Sequence, residues 1–205
     1  MENLHKPELL ATAPYVNGQW VARASSFAVH NPANGELVCR VGDGDAALAE
    51  QAIEAAQAAF VSWREKTAAE RCRLLRRWFT LIMENQEDLA VIMTLEQGKP
   101  LAEAKGEIAY GASFVEWFSE EGKRVYGETI PAPGPDKRIV VIKQPVGVVT
   151  AITPWNFPSS MITRKAAAAL AVGCTFVVRP ASATPLSALA LARLPELAAS
   201  PPLAF

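Results

Sequence analysis

The chain has 205 residues, of which half are hydrophobic and a fifth are charged, with a formal net charge of −1. This is ordinary globular composition, and it excludes an intrinsically disordered chain. The near-neutral charge and the lack of a basic stripe argue against nucleic acid as a partner, and no apolar run is long enough to span a membrane.

The cysteines and histidines argue against disulfide and metal chemistry. Cys39, Cys72 and Cys174 are odd in number, widely spaced and without a Cys-x-x-Cys pattern, and His5 and His30 are the two histidines. No disulfide framework and no metal site are expected, which fits a reducing cytoplasm. The first residues also lack the charged-then-apolar layout of a secretory signal.

The chain is predicted to begin with a flexible lead-in over residues 1–14, followed by a hairpin. Asn17-Gly18 supplies the positive φ angles of a type I′ hairpin turn. A second turn is predicted at Asn31–Gly35, before a strand over 36–41. Asp45 is the predicted N-cap of the first helix, because its carboxylate can accept from a backbone N–H of the first turn.

Four helices are predicted between residues 46 and 126 from the spacing of apolar residues. They begin near positions 46, 68, 86 and 101, and the third stops at Gly98-Lys99-Pro100. Gly106 and Gly111 in the fourth helix indicate close packing against a neighbouring helix. The bulky residues expected to face the core include Ile53, Tyr110, Phe114, Trp117 and Phe118.

Residues 127–145 are predicted to form a linker and a β-rich segment of the kind used in oligomerisation. Gly127 to Asp136 carries three prolines and two glycines, and 138–144 is rich in β-branched residues. The linker is a candidate boundary between the hairpin and helices of 15–126 and the unit that follows.

A strand–helix–strand unit is predicted over residues 146–192. Strands at 146–152 and 174–178 flank a helix that Ser159 or Ser160 caps and Gly173 ends. Parallel strands end at one edge of a sheet, so Asn156 and Arg179 are expected on a shared rim, where α/β sheets bind ligands. The first N–H groups of the helix are expected to favour phosphate or developing negative charge there.

The residues alone leave alternatives open at this rim. Asn156 could instead shape a turn, Trp155 could pack rather than line a pocket, and Arg179 could simply extend to solvent. Neither a Gly-x-Gly-x-x-Gly nor a Gly-x-x-x-x-Gly-Lys-Ser/Thr phosphate loop is present, so a nucleotide must bind through another arrangement.

Several motifs, in order, resemble the aldehyde dehydrogenase superfamily and most closely its succinate-semialdehyde branch. The resemblance extends from about Tyr15 to Leu191. It implies an α/β fold with an N-terminal hairpin, helices and part of a Rossmann-like parallel sheet, followed by a divergent, truncated tail over 193–205. The motifs are Asn31–Gly35, Glu96–Pro100, Glu103–Glu107, Ile152–Pro158 and Met161–Lys165.

The resemblance implies oxidation of an aldehyde, succinate semialdehyde to succinate, with NAD(P). In the family a cysteine thiolate attacks the aldehyde, hydride passes to nicotinamide, and a glutamate activates water. Asn156 is implied as the donor to the oxyanion, and Arg164 as the ligand of the substrate carboxylate. The implied cofactor-binding residues are Thr153, Trp155, Asn156, Arg179, Pro180, Ala181 and Ser182.

Two departures from the family pattern carry further expectations. Arg179 stands where lysine is usual and Ser182 where NAD-preferring members often have glutamate, which favours NADP over NAD. The nucleophile and the base glutamate are implied beyond position 205, so the chain is expected to be inactive alone. The partners expected are a small aldehyde and, for a full-length form, identical subunits; the alternative is a non-catalytic nucleotide-binding or subunit-pairing remnant.

Overall fold

The computed structural model of the chain describes residues 4–197, which contain eight strands and six α-helices. Short 3-10 turns occupy Pro7–Leu9 and Gly122–Arg124. The strands are β1 (Tyr15–Val16), β2 (Gln19–Trp20), β3 (Ser26–His30), β4 (Leu37–Gly42), β5 (Glu128–Ile130), β6 (Ile139–Val141), β7 (Val148–Ile152) and β8 (Thr175–Arg179). The helices are α1 (Ala46–Glu65), α2 (Ala68–Glu84), α3 (Gln86–Gln97), α4 (Leu101–Glu121), α5 (Ser160–Ala171) and α6 (Leu186–Leu197).

The strands of the described residues pair two by two. β1–β2, β3–β4 and β5–β6 are antiparallel, whereas β7–β8 is parallel. Asn17 and Gly18 have φ angles of 51° and 74°, which confirms the predicted type I′ hairpin. Asp45 is confirmed as the N-cap of α1, since its Oδ1 accepts from the Leu48 N–H at 2.9 Å. The α/β class and the β7–α5–β8 unit are also as predicted.

Small residues bring α4 close to its neighbours α2 and α5. A Cβ added at Gly111 would lie 3.1 Å from Thr163 Oγ1 and 3.3 Å from Ser160 Cα, which confirms close packing there. The same prediction is wrong at Gly106, where a Cβ would meet nothing within 4 Å. The buried face of α4 consists of Ala104, Glu107, Ile108, Gly111, Ala112, Val115 and Ser119.

The prediction that the α4 aromatics form core is wrong for two of them. Tyr110 is 52% exposed and Trp117 is 60% exposed, and Ile53 on α1 is also exposed. Because α4 packs through its small residues, no space remains for large rings between it and α2 or α5. The rings therefore lie on its outer face, while Phe118 packs partly against the core.

The prediction of a flexible lead-in over residues 1–14 is wrong for residues 4–10, which the structure describes as packed against the rest of the chain. Leu9 is fully buried, and the backbone N–H groups of His5 and Lys6 donate to the two Asp88 carboxylate oxygens at 2.8 and 2.9 Å. The buried side chains of Leu4 and Leu9 and the buried Asp88 acceptor therefore connect this segment to the core. At the other end α6 continues to Leu197, within the segment predicted to diverge; residues 198–205 lie outside the described part.

The predicted linker of 127–145 contains the antiparallel hairpin β5–β6. Every residue of both strands is exposed, including Ile130, Ile139, Val140 and Val141. Its use in oligomerisation stays a prediction. Among the described residues, none of the helices combines the length and the apolar character needed to cross a membrane.

Candidate functional site

The two parallel strands β7 and β8 end together, and their following loops leave the same edge. Ile152 pairs with Arg179 at the end of the ladder, and the Thr153 N–H donates to the Arg179 carbonyl at 3.1 Å. The shared rim predicted for Asn156 and Arg179 is therefore confirmed. We call residues 153–158 and 179–182 the β7–β8 rim.

The polar side chains of the β7–β8 rim are not used by the fold. Among the described residues, the carboxamide of Asn156 and the guanidinium of Arg179 form no hydrogen bond or ion pair, and both residues are exposed. The Thr153 hydroxyl is buried and likewise has no hydrogen-bond partner. Trp155 is largely exposed. Donors left free at the ligand-binding edge of an α/β sheet are available to a ligand.

A cavity of about 440 Å³ adjoins the Arg179 side of the rim. It lies between α1, the β1–β2 hairpin, β8 and α6, and apolar residues such as Phe176 and Leu189 form much of its wall. Arg179, Pro180 and Ser182 line it. The polar part of the lining also includes Tyr15, Asn17 and the acidic residues Asp43 and Asp45. Ala181, Thr153, Trp155 and Asn156 lie outside this lining.

The first N–H groups of α5 are not free, contrary to the prediction. Glu107 on α4 is buried, and its Oε1 accepts from the Ser159 and Ser160 N–H groups at 3.1 and 3.3 Å. Ser159 occupies the N-cap position but makes no side-chain cap bond, so the predicted serine cap is wrong too. A carboxylate already satisfies the positive end of this helix, which removes it as a phosphate site.

Lys99 completes the arrangement around Glu107. Its Nζ lies 2.5 Å from Glu107 Oε2, 3.3 Å from the Asn156 carbonyl oxygen and 4.3 Å from the centre of the Phe157 ring. The Lys99 side chain is 11% exposed and that of Glu107 is 1% exposed. The cation and the carboxylate together therefore contact the backbone on both sides of Phe157.

A second buried carboxylate holds the start of α6. Glu96 Oε2 accepts from the Leu186 N–H at 2.6 Å and Oε1 from the Ser187 N–H at 2.8 Å. Burial raises the pKa of Glu96 to about 7, although the hydrogen bonds from Ser187 and Leu186 act in the opposite direction. We call residues 96–107, which carry Glu96, Lys99 and Glu107, the α3–α4 corner.

Two neighbouring cations lie on α5. Arg164 is exposed, with its guanidinium next to Met161 Sδ, and Lys165 Nζ donates to the Met161 carbonyl at 2.9 Å. Burial and then the charge of Arg164 hold the pKa of Lys165 below its usual range. Among the described residues no carboxylate pairs with either, so this part of α5 is a candidate anion site.

None of the three thiols lies at the β7–β8 rim. Cys174 is buried just before the amino end of β8, at the opposite end of the strand from Arg179. Cys72 is buried on α2, and burial raises its pKa. Cys39 is on β4, where burial and then the charge of Glu96 raise its pKa. Raised pKa values disfavour the thiolate, which is the nucleophilic form.

Comparison with known proteins agrees with this geometry. The sequence profile of the aldehyde dehydrogenase family matches residues 20–205. The chain belongs to the aldehyde dehydrogenase family. The match includes the segment 193–205, whose sequence we expected to diverge from the family.

Two of the similar curated proteins are semialdehyde dehydrogenases by their names. The chain is 60% identical over 200 residues to the glutarate-semialdehyde dehydrogenase of Pseudomonas aeruginosa, covering 97% of this chain and 41% of that protein. It is 58% identical to the NADP(+) succinate-semialdehyde dehydrogenase of Escherichia coli, covering 93% of this chain and 40% of that protein. The chain thus spans about two fifths of the length of these curated relatives.

Solved aldehyde dehydrogenase structures share the fold over the whole described part. The succinate-semialdehyde dehydrogenase of Burkholderia pseudomallei superposes with a TM-score of 0.94 at 57% identity, covering 98% of this chain and 42% of that one. The aldehyde dehydrogenase of Brucella melitensis biovar abortus 2308 gives a TM-score of 0.96 at 55% identity, covering 43% of its chain. The incomplete aldehyde dehydrogenase fold predicted from the motifs is therefore confirmed.

Three residues around the rim of this aldehyde dehydrogenase chain were not predicted from the sequence: Glu96, Lys99 and Glu107. They lie within the motifs Glu96–Pro100 and Glu103–Glu107, to which no role was assigned. One signal was available, because Glu96 and Glu107 fall at the inward positions of α3 and α4 among apolar or small residues. A charge on a buried face requires a partner, and that requirement points to a positioning role.

Proposed function

We propose that this chain is the cofactor-side part of an NADP-preferring aldehyde dehydrogenase that oxidises an aldehyde with a terminal anionic group, succinate semialdehyde to succinate. The observation that carries this proposal is the β7–β8 rim, where the parallel strands bring the free Asn156 carboxamide and the free Arg179 guanidinium to one edge. The names of the relatives, glutarate-semialdehyde, succinate-semialdehyde and 3-sulfolactaldehyde dehydrogenase, support the substrate class.

Asn156 is the donor to the oxyanion in this proposal. Its side-chain N–H₂ is exposed and unpaired among the described residues, so it can donate to the aldehyde oxygen as that oxygen gains negative charge. Loss of one such donor raises the barrier by about 3 kcal/mol. NADP would supply the hydride acceptor when bound, and Thr153 and Trp155 would line the channel that holds it.

Arg179, Pro180, Ala181 and Ser182 hold the adenosine ribose, and they favour a 2′-phosphate. A guanidinium attracts the phosphate, and a serine hydroxyl can donate to it, whereas a glutamate at the position of Ser182 would repel it. The adjoining cavity supplies apolar walls for the adenine ring. The NADP-dependent relative from Escherichia coli is consistent with this preference.

Arg164 binds the carboxylate of the substrate in this proposal, with Lys165 strengthening the positive field. Both cations lack a carboxylate partner among the described residues, and the planar guanidinium suits a bidentate contact. Arg164→Ala in an active form of the enzyme is expected to raise KM for succinate semialdehyde and to leave that for an uncharged aldehyde unchanged.

The nucleophile is not one of the three cysteines of this chain, because none lies at the rim. We therefore propose that the 205-residue chain has no dehydrogenase turnover by itself. Robust NADPH formation by the purified chain with succinate semialdehyde would refute this part of the proposal.

Calorimetric titration of the chain with NADP and with NAD tests the cofactor site. We expect NADP to bind more tightly, and Arg179→Ala to weaken NADP about tenfold more than NAD. Arg124→Ala, which removes an exposed arginine in the 3-10 turn after α4, is the matched control. Tighter binding of NAD, or equal losses in both variants, would refute the NADP preference.

The exposed β5–β6 hairpin favours a second candidate function, a subunit-pairing remnant. Val140 on β6 is 67% exposed and Ile142, just after the strand, is 69% exposed, and among the described residues the sheet has two strands with free edges. Such an edge can pair with another chain. Co-purification with a full-length relative, lost on Val140→Lys, would support this candidate and a homo-oligomeric full-length form.

A further inference from the structure

The segment from Asn156 to Ser160 is held at four points by two side chains of the α3–α4 corner. Lys99 Nζ donates to the Asn156 carbonyl and lies over the Phe157 ring. Glu107 Oε1 accepts from the Ser159 and Ser160 N–H groups. Asn156 is therefore attached at its own backbone to a cation that a buried carboxylate keeps in place.

No side chain of the loop itself caps the start of α5, and local backbone bonds such as that from the Met161 N–H to the Phe157 carbonyl at 3.1 Å join the loop to its own helix and not to the rest of the fold. Ser159 makes no side-chain cap bond, and its buried hydroxyl has no hydrogen-bond partner among the described residues. The Asn156 side chain, too, has no contact of this kind that would orient it. The Lys99–Glu107 pair supplies the connection that is missing, between the start of α5 and the α3–α4 corner.

We infer that Lys99 and Glu107 are positioning residues for Asn156, acting as a bracket that sets the loop backbone from which the carboxamide projects. This inference rests on the proposed oxyanion role of Asn156. An oxyanion donor needs a preorganised position, because an error of about 1 Å at a reacting group can cost on the order of 10² in rate. Lys99 places the carbonyl of Asn156, and Glu107 places both Lys99 and the following helix.

The test measures the order of the loop in the 205-residue chain by ¹⁵N relaxation. The variant is Lys99→Met with Glu107→Gln, which removes both charges together and leaves no unpaired ion in the interior. We expect the squared order parameter of the Asn156 backbone amide to fall from about 0.85 to below about 0.6. Lys99→Arg, which keeps the cation, is expected to restore the higher value.

Lys105→Met is the matched control for this experiment. Lys105 lies on α4 and pairs with Glu87 at 2.5 Å, but that pair is exposed and does not touch the loop. We expect this variant to leave the Asn156 amide as ordered as in the wild type. A purely structural role would lower the midpoint of thermal unfolding without a selective change at residues 156–160, and that outcome overturns the inference.

Two other outcomes also decide the matter. A double variant that no longer folds assigns the pair to folding of the chain and overturns the positioning role. Asn156→Ala separates this inference from the proposed function, because it removes the carboxamide and leaves the Lys99–Glu107 contacts intact. If Asn156→Ala leaves turnover of an active form unchanged, the oxyanion proposal fails, whatever the relaxation data show for the bracket.

Discussion

Two kinds of side-chain cap are found at helix starts in this chain, local caps at α1 and α2 and remote caps at α5 and α6. Thr67 and Glu70, three residues apart, each accept from the backbone N–H of the other. By contrast, Glu107 and Glu96 reach helix starts that lie 52 and 90 residues further along the chain. A local cap stabilises one helix, whereas a remote cap also holds a loop against a distant part of the fold.

The largest effect on stability is expected from Glu107→Ala. This substitution leaves Lys99 mostly buried without its partner and the Ser159 and Ser160 N–H groups without an acceptor. The free energy of unfolding should fall by about 3–5 kcal/mol, the usual cost of breaking a buried ion pair. Urea unfolding followed by circular dichroism measures it. Glu107→Gln keeps an amide oxygen for the two N–H groups and should lose less; equal losses would contradict the capping role.

The remote cap at Glu96 is expected to make stability depend on pH. Its pKa in the folded chain is about 7, above the ordinary 4.5, so its contribution is fully present below pH 4.5 and is lost as the pH rises through 7. The free energy of unfolding should fall by up to about 3 kcal/mol over this window relative to Glu96→Gln. Denaturant unfolding at a series of pH values, with both proteins side by side, measures the difference.

The local cap supplies a control of opposite sign. Hydrogen bonds from Thr67 hold the pKa of the exposed Glu70 below its usual range, so its contribution is present at neutral pH and is lost as the pH falls. As the pH falls, the free energy of unfolding of the wild type should therefore decrease relative to that of Glu70→Gln. Relative to that of Glu96→Gln, it should increase. If both differences in the free energy of unfolding changed in the same direction with pH, the contrast between local and remote caps would be contradicted.

A smaller effect is expected from removing the local cap itself. Thr67→Ala deletes the side-chain acceptor for the Glu70 N–H, at a cost of about 1 kcal/mol in the free energy of unfolding. Thr67→Ser keeps a hydroxyl and should retain most of the stability. Thermal unfolding resolves the two. If Thr67→Ala lowered the free energy of unfolding as much as Glu107→Ala does, local and remote caps would not differ in strength.

The smallest effect is expected from Lys105→Met. Lys105 and Glu87 form an ion pair in which both side chains are more than a third exposed. Solvent screens such a pair, so the free energy of unfolding should change by less than about 0.5 kcal/mol. The same urea titration applies, with added salt to test screening. If Lys105→Met lowered the free energy of unfolding about as much as Glu107→Ala does, burial would not explain why the Lys99–Glu107 pair stabilises the chain more than the Lys105–Glu87 pair.

Local signals in the sequence were sufficient for much of the fold. Asn17-Gly18 requires positive φ angles, Asp45 can accept from its own first helical turn, and Gly98 ends α3 with a φ of 81°. Each of these depends on a few neighbouring residues. The parallel order of β7 and β8 also followed from a short connection through one helix, and it was enough to bring Asn156 and Arg179 to one rim.

The rest depended on contacts between distant segments. The close packing of Gly111 on α4 was predicted, but apolar spacing did not identify which face of the helix points inwards, and Tyr110 and Trp117 were therefore misplaced. The serine cap and the free N–H groups of α5 were wrong for the same reason, since the acceptor is Glu107 on another helix. No pattern within five residues of Ser159 contains that partner.

Because of the two remote caps, the β7–α5–β8 unit and the start of α6 depend on a segment far from them in the chain. A chimera that transplanted residues 148–187 alone into another scaffold would carry helices whose first N–H groups have lost their acceptors. A working chimera must therefore include the α3–α4 corner as well. For recombination or design, the useful crossover point therefore lies ahead of Glu96, and not in the proline-rich stretch 127–136 where composition alone would place it.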